Sequence, residues 1–283
     1  MKKSSLLILT LLLITVILLG LNKTQTKELS TLRGIVKTGG STSVEKVMNA
    51  LIYQFQALNP KVTIDYEMTG SGDGIKNTAS GLYEIGHSSR ELKTDQSESN
   101  LSALAYAIDG IAVVLHPQNS ISNLSKEQIR AIYTGKIKNW SEVGGKDAFI
   151  TVVTREIGSG TRSAFSEIVG LDQKDAPTTS IINTATTCDN TGAVQTTVSQ
   201  NLNTIGYISF SDVDLKKVKT VSVNGIDISS ATLKDDSYQL KRKFYLVTKK
   251  GTALSKEATA FIEFVMSEKG QQIVARNKRL PVK

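Results

Sequence analysis

Downstream of residue 31, apolar positions recur in two alternating rhythms. Ile35-Val36-Lys37-Thr38 is a short strand-like run that stops at Gly39-Gly40. Val44, Val47, Met48, Leu51, Ile52, Phe55 and Leu58 then follow the spacing of one helix face, closed by Asn59-Pro60. Val62-Thr63-Ile64-Asp65-Tyr66 returns to strand alternation, and Gly70-Ser71-Gly72-Asp73-Gly74 opens a short helix. Residues 84–86, 111–115 and 151–154 predict further strands, and Ser125 with Gln128 has the spacing of a capping box before Ile129-Arg130-Ala131-Ile132-Tyr133. One helix is predicted across 254–274, followed by Leu280-Pro281-Val282. The alternation predicts an α/β fold with largely parallel sheets. Two polar stretches, 117–125 and 212–240, are candidate connections between lobes.

Length and charge narrow the picture. A chain of 283 residues has room for two lobes rather than one small core. The formal charge is +8; setting aside residues 1–21 leaves 32 basic against 26 acidic side chains, or +6. The basic residues are dispersed, and the longest run, Lys241-Arg242-Lys243, reads as a solvated face. Aromatic residues make up only 6% and do not interleave with basic ones, which argues against nucleic acid. A modest positive field still favours anions. The two histidines, His87 and His116, and the single cysteine, Cys188, form no metal-ligand pattern, so no metal or cofactor is expected. Cys188 reads as a buried or half-buried structural thiol.

The N-terminus carries Lys2-Lys3 and an apolar run from Leu6 to Leu21, which predicts export. No small-x-small cleavage site follows. Leu18-Leu19-Gly20-Leu21 is similar to a lipobox with Leu21 where the lipid-bearing cysteine would stand. The expectation is a signal or anchor at 1–21, a linker at 22–31, and a protein outside the membrane, at the cell surface or in the periplasm, held by an uncleaved apolar segment or by a membrane partner.

The chemistry lies in three strand-to-helix turns of one kind: Gly39-Gly40-Ser41-Thr42-Ser43, Thr69-Gly70-Ser71-Gly72-Asp73-Gly74 and Gly158-Ser159-Gly160-Thr161. Glycines allow close backbone approach, and each turn precedes a helix, whose free amides and dipole favour an oxyanion. Any one turn is accounted for as an N-cap. Three together, with Arg90, Arg155 and Arg162 nearby, point to an anion site, because guanidinium forks match tetrahedral oxyanions. Arg155, directly before the third turn, is the strongest cationic candidate. Arg162 serves equally well as half of a surface ion pair. Asp73 is expected to face outward as a first-turn acid.

The ordered set of Gly40-Ser41-Thr42-Ser43, Gly70-Ser71-Gly72, Gly86-His87-Ser88-Ser89-Arg90 and Arg155–Arg162 resembles the phosphate-binding proteins of bacterial ABC importers. Ile132–Trp140, Asn203–Ile208, Phe261–Val265 and Ser267–Gly270 extend the likeness from about residue 34 to the end. The resemblance implies a type II periplasmic-binding-protein clamshell, each lobe a mixed, mainly parallel sheet flanked by helices. Its lobes would be 32–112 plus 240–283, and 113–239. It further implies a monomer that captures inorganic phosphate for ABC permease subunits and catalyses nothing. The implied ligand set is Ser41, Thr42, Ser43, Ser71, Ser89, Arg90, Arg155, Ser159, Gly160 and Thr161. Two departures stand out: Ser89 replaces a common aspartate, and Ile157 replaces an acid that commonly pairs with the arginine, so that Arg155 is expected to be less neutralised. A phosphate-ester hydrolase and a non-transport oxyanion sensor are the alternatives; the sequence lacks Gly-x-Ser-x-Gly, paired-histidine and Walker motifs.

Overall fold

The computed structural model describes residues 31–173 and 180–282. The expected N-terminal signal or anchor and nearly all of the linker lie outside these residues. Among them, no helix is long and apolar enough to cross a membrane.

β1 (Gly34–Gly40) turns through a 3-10 segment (Thr42–Val44) into α1 (Glu45–Leu58), and β2 (Val62–Met68) turns into α2 (Ser71–Ser80). β3 (Ile85–Ser88) precedes a long strand, β4 (Leu101–Leu115). β5 (Asn123–Leu124) and α3 (Lys126–Tyr133) lead to β6 (Thr151–Arg155) and α4 (Gly160–Val169). β7 (Thr186–Cys188), α5 (Thr191–Gln200), β8 (Thr204–Ser209), β9 (Lys219–Thr220), β10 (Ser222–Val223) and α6 (Ser230–Lys234) follow. β11 (Lys241–Lys249), α7 (Lys256–Met266), α8 (Glu268–Arg276) and β12 (Leu280–Pro281) end the chain.

The main sheet runs β2-β1-β3-β11-β4-β8-β6-β7. Strands β1, β2 and β3 pair in parallel, as do β6, β7 and β8. The long β4 and β11 are antiparallel to each other and stitch these parallel groups together, giving a mixed sheet. The predicted strand 111–115 is thus only the last third of β4, whose earlier part pairs with β11.

Two large apolar cores and a small third cluster of Ile75, Leu101, Tyr245 and Val247 lie along the chain. One large core gathers Met48, Leu51, Phe55, Ile85, Phe244 and Phe261, and the other gathers Val113, Tyr133, Trp140, Phe165, Ile205 and Tyr207. β4 feeds both: Tyr106 and Ala107 belong to the first and residues 111–115 to the second. Each inward helix face buries what its spacing predicted; α1 hides Val47, Met48, Leu51, Ile52 and Phe55. Burial of such side chains contributes roughly 1.5–3 kcal/mol each.

Local signals hold in several places. Ser125 and Gln128 cap α3 reciprocally. The helix expected across 254–274 is instead two, because the Ser267 side chain caps the second and accepts from the Gly270 amide. The Lys241-Arg242-Lys243 run is not a solvated face throughout. Strand alternation turns Arg242 inward, where it is 6% exposed and pairs with Asp109 at 3.2 Å, its register partner on β4.

Candidate functional site

Backbone geometry brings the three Gly-Ser turns together. The amides of Thr69 and Gly70 both donate to the carbonyl of Gly40 (3.1 and 2.9 Å), the Ser41 amide donates to His87 (2.9 Å), and the Gly72 amide donates to Gly158 (3.0 Å). Gly40 has φ +140°, and a Cβ there would sit 2.2 Å from the His87 carbonyl oxygen. Only glycine permits that approach of the first turn to β3.

The side chains complete the cluster. Ser41 donates to the Ser89 hydroxyl (2.8 Å), which lies 3.3 Å from the Ser71 hydroxyl. The Ser89 amide donates to Ser71 (3.1 Å). Ser43 and Thr161 share a hydrogen bond of 2.6 Å across 118 positions of sequence. Gly160 packs so tightly that a Cβ would stand 2.2 Å from the Ser71 hydroxyl and 2.5 Å from that of Ser89. Ser41, Ser43, Ser71, Ser89, Ser159 and Thr161 are all at most 2% exposed. Nearly dry hydroxyls on three helix-starting turns, facing one another, are set to exchange these mutual bonds for bonds to a small guest.

Capping does not account for them. Only the third turn uses its serine as a cap: Ser159 accepts from the Arg162 amide. Neither Ser41 nor Gly70 makes a side-chain capping bond.

Arg155 supplies the positive charge. It ends β6, is 1% exposed, and is fixed by acceptors on several sides. Its Nε donates to Glu156 (2.7 Å) and the Cys188 carbonyl (3.2 Å). Its Nη2 donates to Glu156 (2.8 Å), Thr42 Oγ1 (3.1 Å) and the Asp189 carbonyl (3.3 Å). Among the described residues, Nη1 has no acceptor. The acid neutralising this arginine is therefore Glu156. The expectation that Ile157 leaves Arg155 less neutralised is corrected: Ile157 is 87% exposed, and the carboxylate comes from one position earlier.

Arg90 departs from the sequence expectation. Its guanidinium grips Glu98 with two bonds (3.0 and 2.6 Å) and also donates to the Glu91 carbonyl (2.7 Å). Burial would raise the Glu98 carboxyl, but Arg90 and the Lys93 amide override it and hold the acid below its ordinary value. Arg90 is thus engaged in an ion pair with Glu98. Arg162 likewise bonds the Arg155 carbonyl (3.0 Å) and Asp172 (3.3 Å). Asp73 is exposed in the first turn of α2, as its place in the helix predicted.

His87 lies fully buried behind the first turn, and burial drives it down to about 3. The Thr38 hydroxyl gives its single proton to the Ile85 carbonyl (2.6 Å), so His87 Nε2 must carry the proton of their shared bond. The ring is a neutral structural element. Among the described residues, no group of histidine, cysteine and acidic side chains could hold a metal. Cys188 is buried and free.

Other contributors had no sequence signal. The Tyr66 hydroxyl donates to the Ser41 carbonyl (2.9 Å), the Tyr207 hydroxyl accepts from the Arg155 amide (3.3 Å), and Arg279 Nη2 donates to the Ser43 carbonyl (2.8 Å) from 236 positions away. Beside the cluster, a cavity of about 770 Å³ is lined by Thr42, Glu45, Lys46, Asn49, Asp189 and Asp212.

The arrangement has close relatives. The PBP superfamily domain matches residues 25–269. The phosphate-binding protein PstS of Bacillus subtilis is 31% identical over 88% of this chain and 81% of its own length. That of Borreliella burgdorferi is 29% identical over 88% and 90%. Among solved structures, a phosphate ABC transporter substrate-binding protein from Clostridium perfringens with bound phosphate shares 42% identity at a TM-score of 0.83, over 88% of this chain and all (100%) of that one. An ABC-type phosphate transport receptor from Vibrio cholerae shares 32% at a TM-score of 0.73, over 88% and 100%.

Proposed function

The chain belongs to the PBP superfamily and, within it, to the PstS-like phosphate-binding proteins, and from that premise we propose that it captures inorganic phosphate outside the membrane and delivers it to the permease of an ABC importer. It is a binding protein and not an enzyme, in keeping with relatives named for binding and transport. The observation that carries the reading is the meeting of three helix-starting turns, through the Ser43–Thr161 and Ser41–Ser89–Ser71 contacts, next to a buried Arg155.

In this reading, Ser41, Thr42, Ser43, Ser71, Ser89, Ser159, Gly160 and Thr161 donate to phosphate oxygens, and Arg155 supplies the charge. Arg90 drops out of the set, because Glu98 holds its guanidinium. Helix-start amides each contribute on the order of 0.3–1 kcal/mol electrostatically, and more when partly buried. With charge-assisted hydroxyl bonds at about 1.5–3 kcal/mol each, the set is ample for micromolar affinity, about −8 kcal/mol.

The division into lobes 32–112 plus 240–283, and 113–239, is supported by the two apolar cores, with β4 and β11 running between them as hinge strands. Ligand capture then follows closure of the lobes, driven by contacts available only when shut. The protein acts as a monomer, held near its permease by the N-terminal apolar segment or by the permease itself.

Ser89 bears on selectivity. Its hydroxyl either donates or accepts, and it lacks the carboxylate that repels a fully deprotonated oxyanion. Calorimetric titration with phosphate, sulfate and molybdate at two pH values tests the function. Micromolar phosphate binding with weaker sulfate supports it. Absence of phosphate binding, or turnover of a phosphomonoester, would sink it.

A further inference from the structure

Beside the hydroxyl cluster lies a second set of charges, in which Arg242, Asp109 and Arg279 are buried and Asp212 is 18% exposed. Arg242 and Asp109 pair across β11 and β4 at 3.2 Å, with side chains 3% and 0% exposed. Arg279, on the segment between α8 and β12, has a 0% exposed side chain. Both guanidinium groups stack over the Phe244 ring, at 5.2 and 5.3 Å from its centre. Because Arg242 already has Asp109, the carboxylate found within ion-pair distance of Arg279 is Asp212, 3.6 Å away.

These partners come from different cores. Arg279 follows α8, whose Val274 belongs to the first core, and its own amide donates to the Val274 carbonyl. Its Nη1 donates to the Asn277 carbonyl (3.1 Å), and its Nη2 donates to the Ser43 carbonyl (2.8 Å) in the first anion turn. Asp212 ends the 3-10 turn Phe210–Asp212 directly after β8, which packs in the second core. A second, weaker tie follows the same path: Lys46 of α1 donates to the Ser211 carbonyl at 3.4 Å. Ser211 in turn bonds Ser209, which donates to Asp109.

One guanidinium therefore hydrogen-bonds the backbone of the first turn and lies within ion-pair distance, 3.6 Å, of a carboxylate from the other core. Opening the clamshell withdraws Asp212 from a buried cation, an arrangement of high cost. Burial pushes Asp212 up to about 6 against the pull of Arg279 and Lys46, with Asp109 adding to the rise. The charge of this carboxylate is thus poised on its contact with Arg279. Arg242, beside Asp109, and Glu45 and Asp189, on the shared cavity wall, complete the charged surroundings.

We propose that Arg279 is a positioning residue for phosphate capture, holding the Ser41–Ser43 turn in its binding geometry and latching that turn to Asp212 of the opposite lobe when the clamshell closes. The proposal rests on the phosphate-binding reading above. Arginine suits the task because its planar fork serves separate acceptors at once, whereas lysine is a point charge.

The test is phosphate calorimetry on the full chain carrying Arg279→Gln, Arg279→Lys, Asp212→Asn, or Arg279→Gln with Asp212→Asn, with melting temperatures measured in parallel. The expected result is phosphate affinity at least about tenfold weaker in Arg279→Gln and partly restored in Arg279→Lys. The effect of Asp212→Asn should change by about threefold or more once Arg279 is gone, the mark of a shared interaction. A merely structural arginine gives lower melting temperatures with parental affinity and additive effects, and that outcome overturns the proposal. Should Arg279→Gln fail to fold, Arg279→Lys decides alone: parental affinity there overturns it. An unsubstituted chain that does not bind phosphate refutes the functional reading itself, and this proposal with it.

Discussion

Gly160→Ala isolates the anion site from the fold. The added methyl would stand 2.2 Å from the Ser71 hydroxyl, 2.5 Å from that of Ser89 and 2.9 Å from the Ser71 Cβ. Relief requires the hydroxyls to retreat by roughly 1 Å, since carbon atoms pack comfortably only near 3.5–4.0 Å. A retreat of that size breaks the Ser89 amide bond to Ser71, now 3.1 Å, and takes both hydroxyls out of reach of an anion. Two lost charge-assisted bonds at about 1.5–3 kcal/mol each amount to roughly 3–6 kcal/mol. That corresponds to a Kd raised on the order of a hundredfold to ten-thousandfold.

Stability should move far less. Gly160 begins α4, where alanine is the better helix former by about 0.5–1 kcal/mol, which offsets part of the strain. Gly158→Ala is the matched control, because a methyl there meets nothing within 4 Å. Calorimetry with phosphate on both variants, alongside thermal melting, gives the comparison. Near-parental phosphate affinity in Gly160→Ala, at an unchanged melting temperature, would refute the placement of Ser71 and Ser89 at the ligand.

Further outcomes follow from the same geometry. Arg155→Ala and Thr161→Val should each weaken phosphate binding at least about tenfold by calorimetry, as expected for losing a hydrogen bond to a charged group. Arg90→Ala should leave phosphate affinity nearly unchanged. It should cost about 3 kcal/mol in urea unfolding, because it strands the largely buried Glu98. His87 makes the fold acid-sensitive: its folded value of about 3 lies below the ordinary 6.5, so the unfolded chain takes up a proton first as pH falls. Stability is then unaffected above 6.5 and declines below it, by roughly 3 kcal/mol at pH 4. Urea unfolding of His87→Gln should show that much less loss between pH 7 and 4; an identical pH slope in both proteins would exclude the mechanism.

Sequence by itself determined the repeating units of this protein. The apolar spacing of α1, the reciprocal cap of α3 and the glycine-serine turns before α1, α2 and α4 are local matters, decided by neighbours a few positions apart. Three turns of like chemistry were enough to indicate an oxyanion. Tertiary structure decided what those turns share. Whether Ser43 meets Thr161, which hydroxyl and carbonyls surround Arg155, and whether Arg90 faces a ligand or Glu98 all depend on where chain segments cross. Arg90, Arg155, Arg242 and Arg279 make the point plainly: each is a charged fork in sequence, but burial forces it onto the acceptors around it. Only packing assigned Asp109 to Arg242 and Asp212 to Arg279. A buried charge must be satisfied by whatever the fold brings within about 3–4 Å, and that is a property of the whole chain.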